Sequence, residues 1–183
     1  MKINPAYIFL AVLAAERGLE LSIARKNEGV LKRLGGREYG ASFTRLLIAF
    51  HVSWFVSFAL EATLRGGRPV FSPVLPIVAF MLLQAGRYWC ISSLGRFWNT
   101  RIIVLESATP LSTGPYRLLR HPNYLIVMLE IFIYPALFGC WITSLFFGSL
   151  NLAVLKKRIR QEELALGMRT AGNNRKSRAT FGG

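Results

Sequence analysis

Cysteine and histidine are scarce. Only Cys90 and Cys140, each within an apolar stretch, and only His51 and His121 occur among the 183 residues. Two distant cysteines show no metal-ligand spacing and define no pairing, so both read as small hydrophobes in helices. Two histidines are too few for a His-rich metal site, and no metal is expected. Acidic residues are few as well: nine, against 23 Lys and Arg, for a net charge of +14. In a soluble domain that excess suggests nucleic acid. Here the basic residues flank apolar blocks, so lipid headgroups and the cytoplasmic bias of basic loops explain them, and nucleic-acid binding is not expected. What abounds is apolar: 52% of residues are hydrophobic and the mean hydropathy is +0.37.

The apolar residues come in blocks. The first, Ile3 to Ala15, is short for a membrane span, which needs about 20 residues. Retention as a first helix, continuing to Ile23, is expected rather than cleavage as a signal peptide. Glu16, Arg17 and Glu20 then fall near an interface. A basic segment, Arg25 to Gly40, follows, broken by Gly35-Gly36. Ser42 to Leu64 forms the second block, interrupted by Arg45 and His51. After the turn Arg65–Pro69 comes Val70 to Ile91, with Pro73 and Pro76 near its start, where proline is tolerated. Arg87 lies near its other end, placed to snorkel. A polar segment from Ser92 to Pro122 leads to Tyr124–Leu155, a 32-residue run whose one charge is Glu130. As one helix that run would be about 48 Å long, against a hydrocarbon core of about 30 Å. A hairpin turning near Phe138–Trp141 is expected instead.

The expected fold is therefore all-α: a polytopic integral membrane protein of about five spans. Residues 1–168 make one membrane-embedded domain, with a ligand-binding half at about 92–168. Residues 169–183 form a basic tail, disordered from Asn173 onward. Basic segments alternate with the charge-poor turns, which places the N-terminus outside and the C-terminus in the cytoplasm.

Polar groups inside apolar blocks need partners. His51 is expected to donate one hydrogen bond to a neighbouring helix. Glu61 and Arg87 are interfacial, or partners of each other or of other charges. Glu130 divides between a structural ion pair and a substrate-facing role. The most informative stretch is Gly114-Pro-Tyr-Arg-Leu-Leu-Arg-His-Pro-Asn-Tyr124. Pro122 suits a first helical turn, which sets Arg120, His121 and Asn123 around a helix start, an anion site in the making. The plainer reading is a helix cap beside lipid phosphates.

This stretch, followed by an apolar hairpin and Arg158-Ile-Arg-Gln-Glu-Glu163, resembles the isoprenylcysteine carboxyl methyltransferase family. Arg87-Tyr-Trp, Ser93-Leu-Gly-Arg-Phe-Trp-Asn-Thr-Arg-Ile-Ile-Val104 and Gly35-Gly-Arg-Glu-Tyr-Gly40 resemble a bacterial branch of it. Some members of that branch are associated with type III polyketide synthases and methylate alkylpyrone- or alkylresorcinol-like products. The resemblance covers about residues 16–168. It implies S-adenosylmethionine as cofactor, contacted by Arg101, Ala108, Thr109, Pro110, Leu111, Tyr116, His121, Pro122, Asn123, Tyr124 and Glu162. It implies acceptor binding by Arg158, which shares a helix face with Glu162. Two departures stand out: Ile126 where many members have Gly, and Ala108 where eukaryotic enzymes have His. The implied reaction is O-methylation of a hydrophobic, lipid-like small molecule or lipidated acceptor at the cytoplasmic face of a bacterial inner membrane. A carboxylate acceptor needs no base and is steered by Arg158 or Arg120. A phenolic or enolic hydroxyl needs one, with Glu130 and His121 as candidates. The alternatives are N-methylation of a phospholipid amine and a non-catalytic lipid-binding protein of the same fold.

Overall fold

The computed structural model describes residues 4–105 and 113–180, with side chains through Gly167. Five helices follow in order: α1 (Pro5–Arg33), α2 (Ala41–Leu64), α3 (Val74–Leu94), α4 (Pro122–Leu137) and α5 (Trp141–Thr180). Among the described residues the fold is helical apart from two three-residue strands, β1 (Arg37–Tyr39) and β2 (Ile102–Val104), which pair antiparallel with Arg37 opposite Val104. That ladder was not expected; three residues carry too little alternation to signal a strand.

Two stretches, Ala41–Leu64 and Val74–Phe97, are long and apolar enough to cross a membrane, and only 28% of each apolar window is buried. Outward-facing Leu46, Ile48, Val52 and Leu60 on α2 and Ile77, Met81 and Leu82 on α3 form an apolar surface that a soluble monomer rarely presents. Without a water-driven force between helices in lipid, small residues and interhelical hydrogen bonds hold the bundle. On α5, Ser144 donates to the Phe132 carbonyl at 2.7 Å. One turn on, a Cβ at Gly148 would come within 2.9 Å of the Phe132 ring. Trp54 Nε1 donates to the Ile131 carbonyl at 3.1 Å. Around these contacts Phe50, Trp54, Phe58, Tyr134, Phe138 and Phe147 form the main core.

One end of the bundle gathers the α1 start, the α2–α3 connection and the α4–α5 turn: Ala6 N donates to the Gly67 carbonyl and Val70 N to the Leu137 carbonyl. There Glu61 does not meet Arg87. Its carboxylate pairs with Arg65 at 3.1 Å and accepts from Ile142 N, Thr143 N and Thr143 Oγ1. It thus satisfies amides at the start of α5 that a helix leaves without partners. The opposite end joins α1 to the Gly95–Trp98 turn, β1 to β2 and Arg158 of α5 to Thr100, and carries the candidate site.

Several expectations are corrected. α1 runs to Arg33 and absorbs much of the segment read as a loop. Glu16 and Glu20 are buried against other helices. Arg87 is 3% exposed and does not snorkel. It pairs with Glu130 and, at 3.3 Å, with Glu20. Arg17 joins Glu20 at 2.6 Å and Glu130 at 2.9 Å, and Gln84 donates to Glu130 at 3.1 Å. Glu130 is thus the hub of a buried ionic cluster built by α1, α3 and α4. His51 bonds the Leu47 carbonyl of its own helix at 2.8 Å, not a neighbouring one.

Candidate functional site

The chain reaches α4 through a 3-10 turn, Gly114–Arg117. Gly114 has φ +56, and a Cβ there would lie 2.0 Å from Ser93 Oγ and 3.1 Å from Trp89 Nε1. Both the left-handed backbone and the close approach to α3 require glycine. Gly114→Ala is expected to cost about 1–2 kcal/mol and to displace Tyr116, read as a lower melting temperature in detergent. The Tyr116 hydroxyl meets the Cys90 thiol, and burial pushes its pKa far above the ordinary phenol range, so it remains a neutral donor.

His121 is the N-cap of α4 but makes no side-chain cap bond, and buried Pro122 follows at the first helical position. The His121 and Tyr124 rings stack, with centroids 5.3 Å apart and planes at 19°. α5 returns alongside. Tyr124 donates to Glu162 Oε2 at 2.5 Å. His121 Nδ1 lies 3.8 Å from Glu162 and Nε2 3.8 Å from Glu163. Arg158, 5% exposed, donates through Nη2 to the Thr100 carbonyl at 2.8 Å, and its guanidinium also reaches the Tyr124 hydroxyl. Two buried polar atoms here have no hydrogen-bond partner: Arg158 Nη1, a donor, and Asn123 Oδ1, an acceptor.

The structure therefore brings together His121, Pro122, Asn123, Tyr124, Arg158 and Glu162. Tyr116 stands close enough for its phenol to feel Glu162 and Tyr124. Arg101 is engaged elsewhere. It pairs with Glu38 at 2.9 Å and with Glu28 at 3.3 Å, and so pins β2 to α1 and β1. Glu130 sits in the ionic cluster and makes no contact with these residues, which favours the structural of its two readings. Ala108, Thr109, Pro110 and Leu111 lie outside the described residues. Glu163 stood in the motif without a role of its own, and sequence reasoning missed Asn27, whose amide holds the Gly95 and Trp98 carbonyls at 3.1 and 2.9 Å. A lone Asn in a basic segment carries no signal of that role.

The class defined so far is a helical membrane protein with a polar site at one helix start, lined by a second helix. Residues 74–168 match the model of the Isoprenylcysteine carboxyl methyltransferase (ICMT) family. Two bacterial relatives align along most of the chain. The uncharacterized protein YpbQ of Bacillus subtilis is 37% identical over 161 residues, 87% of this chain and 95% of its own. An uncharacterized protein of Haemophilus influenzae is 26% identical over 160 residues, 87% of this chain and 93% of its own. No solved structure matches. The chain belongs to the isoprenylcysteine carboxyl methyltransferase family, which points to a membrane methyltransferase. Members of that family use S-adenosylmethionine in general.

Proposed function

We propose that the protein is an S-adenosylmethionine-dependent O-methyltransferase of a hydrophobic acceptor, a carboxylate or a phenolic or enolic hydroxyl. On this reading its five helices lie in a bacterial inner membrane, N-terminus outside, with the site at the cytoplasmic face. The carrying observation is the meeting of His121 and Tyr124 with Arg158 and Glu162, beside two unpartnered buried atoms of opposite hydrogen-bonding sense. That residue set fits a ligand bearing a carboxylate, an ammonium and a sulfonium. Arg158 Nη1 and the start of α4 suit an anionic group, while Glu162 and Asn123 Oδ1 suit cationic ones. When bound, the cofactor supplies a methyl group already activated on sulfur. The protein's own work is then to hold acceptor oxygen and methyl carbon in line, at about 3 Å, and to exclude water. Arg158 would orient an acceptor carboxylate by charge and fork geometry. His121, beside two carboxylates, is the better placed base for a hydroxyl acceptor, since Glu130 is held by two arginines.

Calorimetry on the full chain in detergent tests the cofactor site. Glu162→Gln is expected to weaken S-adenosylmethionine binding about tenfold or more, roughly 1.4 kcal/mol, and His121→Ala to act in the same direction. Unchanged affinity in both would detach the site from these residues. Labelled methyl transfer to alkylpyrones, prenylcysteines and phosphatidylethanolamine then decides the acceptor. Label on the amine alone would favour N-methylation, and binding without transfer to any would favour a non-catalytic role.

A further inference from the structure

The ionic cluster between α1, α3 and α4 does not balance. It holds three carboxyls, Glu16, Glu20 and Glu130, and two guanidiniums, Arg17 and Arg87. Glu130 is fully served, by Arg17, Arg87 and Gln84. Glu20 Oε2 accepts from Arg17 at 2.6 Å. Glu16 is the odd member. Its one cationic contact is Arg17 Nη2 at 3.2 Å, a nitrogen already bonded to Glu130 at 2.9 Å. Neither Glu16 oxygen has a hydrogen-bond donor, and neither does Glu20 Oε1 or Gln84 Oε1, though all four atoms are buried. Arg87 Nε, 3.3 Å from Glu20 Oε1, is a donor left over, so it is the Glu16 oxygens that stay without a donor, in a cluster short of positive charge.

Glu16 and Glu20 stand one turn apart on α1, with their carboxyls gathered on the one guanidinium of Arg17, at 3.2 and 2.6 Å. Two ionised carboxylates in such contact repel at low dielectric, and one of a pair that shares a site stays protonated. Among the described residues, no three His, Cys, Asp or Glu side chains are placed to hold a metal ion instead. The remaining neighbours do not relieve the excess. Tyr88 from α3 and Tyr134 from α4 are neutral phenols, and His51 from α2 has its Nδ1 on the Leu47 carbonyl. We propose that Glu16 and Glu20 bind one proton between them, as a singly charged acid–carboxylate pair whose O–H bridges the two side chains. One proton supplies both the missing donor and the missing charge, and leaves two ionised carboxylates against two guanidiniums.

A bridging proton held by the fold contributes stability while it is bound, at lower pH, and none once rising pH removes it. The test uses the full chain in detergent, at neutral pH, by infrared spectroscopy. The wild type is expected to show the carbonyl stretch of a buried protonated carboxyl, shifted in heavy water. Glu16→Gln and Glu20→Gln, in which an amide N–H replaces the bridging proton, are each expected to remove it. The melting temperature of the wild type is expected to fall from mildly acidic to alkaline pH, and that of Glu16→Gln to change less. A wild-type spectrum without the band, or a band that persists in both variants, would overturn the proposal. So would equal pH slopes in wild type and Glu16→Gln.

Discussion

Replacing Arg87 with alanine is expected to destabilise the protein by about 3–5 kcal/mol, the usual cost of removing one member of a buried ion pair. Arg87 is almost wholly buried and serves both Glu130 and Glu20. Its loss leaves Arg17, whose side chain is 22% exposed, as the one guanidinium among three carboxyls. The damage comes from stranded carboxylates more than from lost attraction. Glu130→Ala alone is therefore expected to be costly too, while the double variant Arg87→Met with Glu130→Leu should recover most of the loss, because it strands fewer charges. Thermal unfolding in detergent of the two alanine variants and their combination gives the coupling energy. Strict additivity would mean that the two side chains do not act as a unit.

The same cluster marks where the sequence stops being legible. Glu130 was readable as a carboxylate that must be paired or face a ligand, because an apolar block makes any lone charge costly. Its partners were not readable. Arg17 and Arg87 lie 113 and 43 residues away, and only helix packing decides which charges meet. Glu16, Arg17 and Glu20 follow the first apolar block on a helix expected to reach Ile23, but nothing in that block tells that Arg17 meets Glu130 and Glu20 meets Arg87. The site was more open to reading. Pro122 after His121 announces a helix start, and Arg158 and Glu162 share a face at i and i+4, so the contact of Tyr124 with Glu162 needed only that α5 return beside α4. Ile126 shows the limit of reading position by position. Its bulk is met by Gly86 on α3, whose Cβ would sit 3.3 Å from Ile126 Cδ1. One small residue offsets one large one across the helix pair, and neither is informative alone.

The second large effect concerns turnover. Arg158→Lys is expected to lower the rate of methyl transfer by about 30- to 150-fold, roughly 2–3 kcal/mol of transition-state stabilisation, while S-adenosylmethionine affinity changes far less than in Glu162→Gln. The reason is geometric. Arg158 holds the Thr100 carbonyl through Nη2 and keeps Nη1 buried and without a hydrogen-bond partner. Lysine keeps the charge but not the fork; its ammonium can stay on Thr100 or turn to an acceptor, and cannot do both in a fixed orientation. Holding Thr100 also ties α5 to the segment that Asn27 anchors to α1, so the arginine is positioned from two sides before any ligand arrives. Single-turnover rates with saturating cofactor separate this effect from a loss of binding. A lysine variant with undiminished single-turnover rate would remove Arg158 from the reacting machinery and leave it a structural link between α5 and β2.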